Sequence, residues 1–551
     1  MRRGLRMMDR SHNHRWLRLG LACLGGLVVL AGCGPKNYKQ DADKRVYDII
    51  DRKWTPELGA KANYRISDVE PSPYDVRADR DIPVSGVLTL QEAVAIATAH
   101  NREYQLQKEH LYTTALDQRL VRHGYEWQLF GGGSAIYSND GKDETVSVEA
   151  NVGFNRLLST GALVSTRVGT RWLDALLGFR ESGLSSVLGA AVTVPLLRGS
   201  DPKVVLEPLT QAERDTLYQI RTFNRFRKTF VVSVITQYYE VLELHEVVRN
   251  TEDYRNSLEK LCRQVERLIG AGRLPAEELD RVRQEILRAR DTYILAKNEY
   301  DRFLDQYKIT LGVPPTSEFT LDDGVFDALQ TRGLPRPDFA LDEAVEAALC
   351  RRLDVVNSAD LVLDAQRAVY VAADGLRPGL ALAGNADVGT NGDKTIAGGP
   401  VLDLPLDRVR EQDVYRRALI LLNQRRREYE LAADTVRLEV REAHRKLMEA
   451  AERYAVLSEG LTLARERIHK TSMLLEYVRV SSRRVLDAEQ HLHNARNEAA
   501  DALVDYAVAT LDFYRDTDVL QVRPDGMWEI GPSATPVAKT APNADRSITP
   551  K

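Results

Sequence analysis

Over much of this chain small and apolar residues return at alternating steps of three and four, and they do so in two places that superimpose. The longest run reads Leu422, Tyr429, Ala433, Val436, Val440, Ala443, Leu447, Ala450, Tyr454, Leu457, Leu461, Ala464 and Ile468, with only Arg426 interrupting. Such a heptad seam lies along one face of an α-helix and has to be buried against another helix. A second run follows, Val485, Ala488, Leu492, Ala495, Ala499, Ala502, Tyr506, Ala509 and Phe513. Moved back by 206 positions it falls on Leu279, Val282, Ile286, Ala289, Tyr293, Ala296, Tyr300, Phe303 and Tyr307, every one apolar or aromatic. The helical stretch ahead of that earlier copy, from about Val204 to Ile269, would be on the order of 100 Å long at 1.5 Å per residue. No globular core requires such a helix. The pattern predicts an elongated body of antiparallel helices, and Ala at the seams favours several of them packed side by side.

The duplication extends beyond the helices. Leu88-Thr89-Leu90-Gln91-Glu92-Ala93-Val94 opens one half and Leu341-Asp342-Glu343-Ala344-Val345 the other. Each half then passes through Gly-rich, alternating sequence to a Pro-Leu step, Val194-Pro195-Leu196 and Leu404-Pro405-Leu406. Tandem copies of strands and over-long helices suit a pore better than a catalyst. From Thr145 to Asn155, Val146, Val148, Ala150, Val152 and Phe154 share one face and polar groups the other. Leu163–Trp172 and Ser185–Val194 are candidate partners, and Gly379–Val388 with Thr395–Leu404 form a shorter hairpin about Asn391-Gly392. Such strands suit either a sheet over a soluble core or a membrane barrel with its apolar side outward, yet no separate apolar segment is left to cover them. Between its opening motif and its Pro-Leu step the first half is longer by about 40 residues, room for an additional hairpin. Sequence leaves open whether that hairpin extends a barrel or forms an external loop.

The N-terminus carries an address. Arg2, Arg3, Arg6, Arg10, Arg15 and Arg18 precede an apolar run from Leu19 to Gly32. At about 14 residues it is short of the roughly 20 that cross a bilayer, so residues 1–32 read as a signal peptide. Ala31-Gly32-Cys33 resembles the lipobox of bacterial lipoproteins, whose cysteine is acylated and becomes the mature N-terminus. The alternative is an ordinary cleavage site beside a bystander cysteine. Gly34, rather than Asp, after the cysteine implies for such lipoproteins delivery to the outer membrane. Residues 33–84 are expected to form an extended tether, on which Tyr47-Asp48-Ile49-Ile50 and Trp54 could dock. The halves cover 85–324 and 325–520, and the Pro-, Thr- and Ala-containing stretch 521–551 is expected to be disordered.

Composition and motifs exclude other classes. With 76 basic and 80 acidic residues the net charge is −4, which argues against a nucleic-acid binder. Charged residues at 28% and aromatics at 7% suit solvated helices better than a compact enzyme core. Cys23, Cys33, Cys262 and Cys350 show neither metal-ligand nor disulfide-framework spacing, and Cys262 and Cys350 read as small packing residues. No phosphate loop or nucleophile elbow is present, and His245-Glu246 lacks the second histidine of a zinc helix. His491 and His493 project about 200° apart on a helix, as surface side chains do. Glu277-Glu278, after Pro275, read as favourable first-turn charges. No catalytic, cofactor-binding or metal residue is predicted, and no enzyme is expected.

Taken in order, these features resemble the outer membrane efflux protein family, the TolC-like channels, from about residue 85 to 520. The resemblance rests on Leu-x-Glu-Ala at the start of each half and on Val194-Pro195-Leu196-Leu197-Arg198-Gly199. It rests also on Gly272 before Leu279-Asp280, and on Val485-Leu486-Asp487-Ala488 leading to Leu492, Asn494-Ala495 and Tyr506. It implies an α+β membrane protein of two internal repeats, a homotrimer in which each subunit gives four strands to a shared twelve-stranded transmembrane β-barrel. Long antiparallel coiled-coil helices then build a hollow α-barrel through the periplasm. Acylated members of the family fit a lipid-bearing, palmitoylated Cys33. The implied partners are outer membrane lipid, a periplasmic adaptor (membrane fusion) protein and an inner-membrane RND or ABC pump.

The family places a Gly shortly before the second helix of each coiled pair. The first half keeps Gly270 and Gly272, but the second reads Tyr477-Val478-Arg479-Val480, which puts the tip turn there in question. Gly270, Gly272, Arg273, Leu274, Arg479 and Arg483 are the expected periplasmic tip and adaptor contact. With Arg263, Arg267 and Arg484 the tip arginines are either solvated helix ends or a basic ring favouring anionic solutes or an acidic adaptor surface. Val146, Val148, Val152 and Phe154 are expected to face lipid. The expected function is a lipid-anchored outer membrane duct of a tripartite efflux or type I secretion system, passively exporting substrate from periplasm to exterior. The rival is a periplasmic coiled-coil lipoprotein that spaces the envelope without a lumen, which has no use for duplicated hairpins.

Overall fold

A computed structural model describes residues 35–55, 58, 61, 64–66, 86–139, 144–177, 183–332, 340–390, 392–404, 406–523 and 528–530. The signal segment 1–32 and Cys33 lie outside the described residues, as does Pro405 of the second Pro-Leu step. The chain begins with α1 (Pro35–Lys53), β1 (Gly86–Leu88), α2 (Leu90–His100) and α3 (Arg102–His123). Four strands follow, β2 (Gln128–Asn139), β3 (Glu144–Leu157), β4 (Leu163–Leu177) and β5 (Gly183–Pro195), then a short α4 (Pro202–Val205), α5 (Glu207–Gly270) and α6 (Glu277–Leu311). The rest comprises β6 (Phe319–Leu321), α7 (Gly324–Arg332), α8 (Leu341–Arg351), α9 (Leu353–Gly375), β7 (Gly379–Gly389), β8 (Lys394–Asp403), α10 (Val409–Glu476), α11 (Ser482–Asp516), β9 (Leu520–Val522) and β10 (Trp528–Ile530).

The heptad period does produce very long helices. α5 has 64 residues and α10 has 68, roughly 100 Å each. The seam residues Val436, Val440, Ala443 and Leu447 of α10 and Val485, Ala488, Leu492 and Tyr506 of α11 are buried. The Leu-x-Glu-Ala motif of the first half is a capping box: Thr89 Oγ1 accepts from the Glu92 N–H at 3.3 Å, and the Thr89 N–H donates to Glu92 Oε2 at 3.0 Å. In the second half Ala340 stands at the cap and offers no side-chain acceptor.

The helices pack as a row. α6 lies against α5, α5 against α11 and α11 against α10; nearer the strands the row reads α3, α5, α9, α10. Both rows end on α10 at one flank and on α3 or α6 at the other. Where they meet, Tyr104, Phe223, Tyr238, Tyr307 and Phe513 are fully buried. The Tyr238 hydroxyl donates to Leu88 O at 3.0 Å and accepts from the Asp322 N–H at 3.1 Å, which pins the parallel pair β1–β6 to α5.

Six strands, not the four the resemblance implied, form one antiparallel sheet in the order β2-β3-β4-β5-β7-β8. The surplus of the first half is the hairpin β2–β3, paired along its whole length from Gln128↔Asn155 to Asn139↔Glu144. β5 joins the two halves through β7, from Val187↔Gly389 to Pro195↔Ala381. Among the described residues β2 and β8 each keep one unpaired edge.

Three further expectations need correction. Residues 35–53 of the supposed tether are helical, because Val46, Ile49 and Ile50 fall on one helical face and are buried with Trp54. Tyr112 on α3 donates to Asp43 at 2.5 Å, and Lys53 to the Glu213 carbonyl at 2.8 Å. Disorder does not begin at residue 521: β9 pairs with β10, and Leu520 and Val522 are buried. Cys350 is exposed rather than packed, while Cys262 is partly buried.

Candidate conduit: the sheet wall and the helical tip

Residues directly opposite in an antiparallel pair share a face, and here one apolar face runs across all six strands. Leu129, Ala135 and Tyr137 of β2 stand opposite Phe154, Val148 and Val146 of β3. Val152 leads on to Val168 of β4, Leu188 of β5 and Val388 of β7. On β8, Ile396 and Leu402 stand opposite Ala386 and Leu380. Nothing in the described chain covers this face: Val152 is 53% exposed, Phe154 47%, Leu188 57% and Ile396 83%. Of the four residues expected to face lipid, Val148, Val152 and Phe154 are exposed and Val146 is partly so. Strands of 10 to 15 residues meet the roughly 9–11 that a tilted strand needs to span a bilayer. Among the described residues no helix is long and apolar enough to do so.

The opposite face is the more polar one, with Ser147, Glu149, Asn151 and Asn155 on β3, although Phe130, Ile136, Val187 and Val401 stand on it too. Glu149 pairs with Arg171 across β3–β4. Arg167 on β4 reaches 3.8 Å from Asp387 on β7, passing over β5 at Gly189. A Cβ at Gly189 would stand 2.5 Å from Asp387 Oδ1 and 3.3 Å from Arg167, so a larger residue would have to shift that pair.

At the far end of the helices α5 turns into α6 through Ala271-Gly272-Arg273-Leu274, and α10 into α11 through Tyr477-Val478-Arg479-Val480. The missing glycine does not abolish the second turn. Gly272 has φ +69° and Val478, 206 positions on, has φ +56°. The hydrogen bonds match as well. Gly272 N–H donates to Ile269 O at 2.8 Å and Arg273 N–H to Leu268 O at 2.9 Å; Val478 N–H donates to Leu475 O and Arg479 N–H to Leu474 O, both at 2.9 Å. This is a Schellman ending, made in the second half by a β-branched residue in a region such residues avoid. Gly270 is helical and a Cβ there would meet open space, so of the two glycines only Gly272 stands where the backbone favours one.

Arg273, Arg479 and Arg483 are exposed, and Leu274 packs on a small core of Leu258, Val265, Val282, Leu475 and Val485 drawn from both hairpins. The ion pairs described beside them, Arg281–Glu278 at 3.5 Å and Arg283–Glu266 at 3.1 Å, engage none of the six arginines singled out in sequence. Sequence missed what ties the two hairpins together. Glu278, read as a charge for its own helix, accepts from the buried Ser482 N–H at 3.1 Å and from the Ser482 hydroxyl, capping α11 across the gap.

Higher up, α5 meets α11 through polar contacts. Asn250 Nδ2 donates to Asn497 Oδ1 at 3.0 Å, and Arg496 pairs with Asp253 at 3.2 Å. His493 stacks on Tyr254 with ring centroids 4.9 Å apart, and burial pushes its pKa down. It is a seam residue, not the surface histidine that spacing alone suggested. Glu243 on α5 is pushed up to about 7, first by burial and then by Asp501, Asp505 and Glu240. Arg453 of α10 spans Asp501 at 2.6 Å and Asp505 at 2.5 Å. Among the described residues no cluster of His, Cys, Asp or Glu is arranged to hold a metal.

No protein-family model and no curated protein matches the chain. Solved structures do. The outer membrane protein VceC of Vibrio cholerae is similar over 78% of this chain and 95% of its own, at TM-score 0.58 and 11% identity. The open-state MtrE outer membrane channel of Neisseria gonorrhoeae covers 78% and 88%, at 0.57 and 16%. The CmeC outer membrane channel of Campylobacter jejuni covers 85% and 95%, at 0.56 and 14%. The chain thus has the fold of the TolC-like outer membrane efflux channels.

Proposed function

We propose that the chain is the outer membrane duct of a tripartite export system and passes substrate passively from periplasm to exterior. The observation that carries this reading is the exposed apolar face, continuous over six strands of membrane-spanning length. In water such a face is a liability; against acyl chains it is a wall, with Glu149, Arg167 and Asp387 turned to a wet interior. A lumen-free spacer needs no such wall.

On this reading the two halves are internal repeats and three copies assemble into a β-barrel continued by an α-barrel. Cys33 carries lipid, and the tip meets a periplasmic adaptor and an RND or ABC pump. No covalent chemistry is involved. Arg273, Arg479 and Arg483 offer an acidic adaptor surface its contact, and charge reversal at Arg479 and Arg483 should weaken adaptor binding. The polar contacts between α5 and α11 can exchange partners at little cost, which suits helix pairs that slide to open the tip. The test is the purified full chain, expected to run as a heat-modifiable trimer and to conduct in planar bilayers. Monomeric, non-conducting material would overturn the reading.

A further inference from the structure

We infer that the hairpin β2–β3 is part of the wall: each copy gives six strands, β2 of one copy pairs with β8 of the next, and three copies close as an eighteen-stranded barrel. This rests on the proposed channel reading and concerns the width of its bore.

The first support is the hairpin itself. It is paired in full register, and Leu129 (67% exposed), Ala135 and Tyr137 (58% exposed) extend the apolar face of β3, with Gly131 and Gly133 between them. A loop lying outside the sheet has no reason to pair strand to strand over twelve residues. The second is the match between flanks. One flank carries the open edge of β2 and, below it on α6, exposed Leu287 and Ile294, one heptad apart. The other carries the open edge of β8 and, on α10, exposed Val456 and Leu463, again one heptad apart and, counted from the tip, level with Leu287 and Ile294. An unpaired edge and an unpaired heptad stripe both need a partner. Because the flanks differ, a second copy placed head to tail serves both at once, and such contacts close into rings. The edge strands, 12 and 10 residues long, are of similar length.

The third support is arc length. Six strands at about 4.8 Å spacing and a tilt of about 40° span roughly 38 Å of circumference. A row of four helices at 8–10 Å spans roughly 32–40 Å. Four strands would span only about 25 Å, short of the centre line of the helical row. Six strands match the helical wall along its centre line, in a barrel of about twice the cross-section of a twelve-stranded one, since diameter grows linearly with strand number. Lined by Asn151, Arg167 and Asp387, it suits bulky, hydrated solutes.

The experiment uses the full chain in membranes, with Cys262 and Cys350 replaced by Ser. Ser134→Cys on β2 is combined in turn with Ala397→Cys, Gly399→Cys and Val401→Cys on β8, all on the polar face. In a parallel set Gly169→Cys on β4 replaces the β2 position. Oxidation is expected to yield disulfide-linked dimers and trimers from the β2–β8 set and none from the β4–β8 set. Linkage from β4 to β8, or no linkage from β2 in protein that conducts, would overturn the inference and leave the channel reading standing. Protein that neither assembles nor conducts would overturn both.

Discussion

The two tip turns offer a controlled comparison, because the same backbone is made once with Gly272 and once with Val478. An L-residue in the left-handed region costs about 1–2 kcal/mol. A Cβ at Gly272 would meet nothing within 4 Å, so Gly272→Ala carries that conformational cost alone and should destabilise the turn by about 1 kcal/mol. Val478→Gly should act in the opposite sense. Relief of about 1–2 kcal/mol of strain is offset in part by roughly 0.5–1 kcal/mol of extra freedom in the unfolded chain. Gly270→Ala is the control: the position is helical and open, so alanine should help slightly, by up to about 1 kcal/mol. The assay is amide exchange in the intact assembled protein, read at the Arg273 and Arg479 N–H groups that close the two turns at 2.9 Å. A change of about 1 kcal/mol is about fivefold in the opening equilibrium. Protection should fall at Arg273 in Gly272→Ala, rise at Arg479 in Val478→Gly and hold or rise in Gly270→Ala. Equal losses from the two alanine substitutions would refute the argument, since only φ distinguishes those glycines.

Other consequences follow from named contacts. Removing the tie between the hairpins with Glu278→Gln or Ser482→Ala should cost about 1–2 kcal/mol, as for a lost N-cap, and should raise amide exchange at the start of α11 and the frequency of open-channel events. Glu243 binds its proton more tightly folded (about 7) than unfolded (4.5), so the folded state holds more protons between those values. Stability should therefore fall as pH rises from about 4.5 to about 7, and Glu243→Gln should flatten that slope in melting temperature. On the wall, Val152→Arg should cost about 2–4 kcal/mol against lipid while Asn151→Arg, on the other face, costs far less. The assembled fraction recovered from membranes would show the difference, and equal losses would refute the assignment of faces.

What was legible in the sequence follows from periodicity. A seam such as Val436, Val440, Ala443 and Leu447 repeats often enough to reveal both the helix and its buried side, and the alternation from Val146 to Phe154 reveals one strand and its two faces. β2 was not legible, because Gly131-Gly132-Gly133 lowers strand propensity; it is a strand because Val152, Asn151 and Ala150 of β3 stand opposite those glycines. α1 carried a weak signal, Val46, Ile49 and Ile50 at helical spacing, hidden in polar surroundings. The turn at Val478 runs against residue preference, and the apolar contacts of Leu475, Val480 and Val485 with the first hairpin hold it there. Ser482 lies 204 residues from Glu278, and no local rule pairs them.

The unequal halves have a consequence for how such a wall changes size. β2 starts at Gln128 opposite Asn155, near the end of β3, so the hairpin departs from and returns to the same rim. Inserting it leaves every later helix on its original side, whereas one added strand would carry the remainder of the chain to the opposite rim of the sheet. Girth can then grow only in pairs of strands per subunit, without any alteration to the helices beneath.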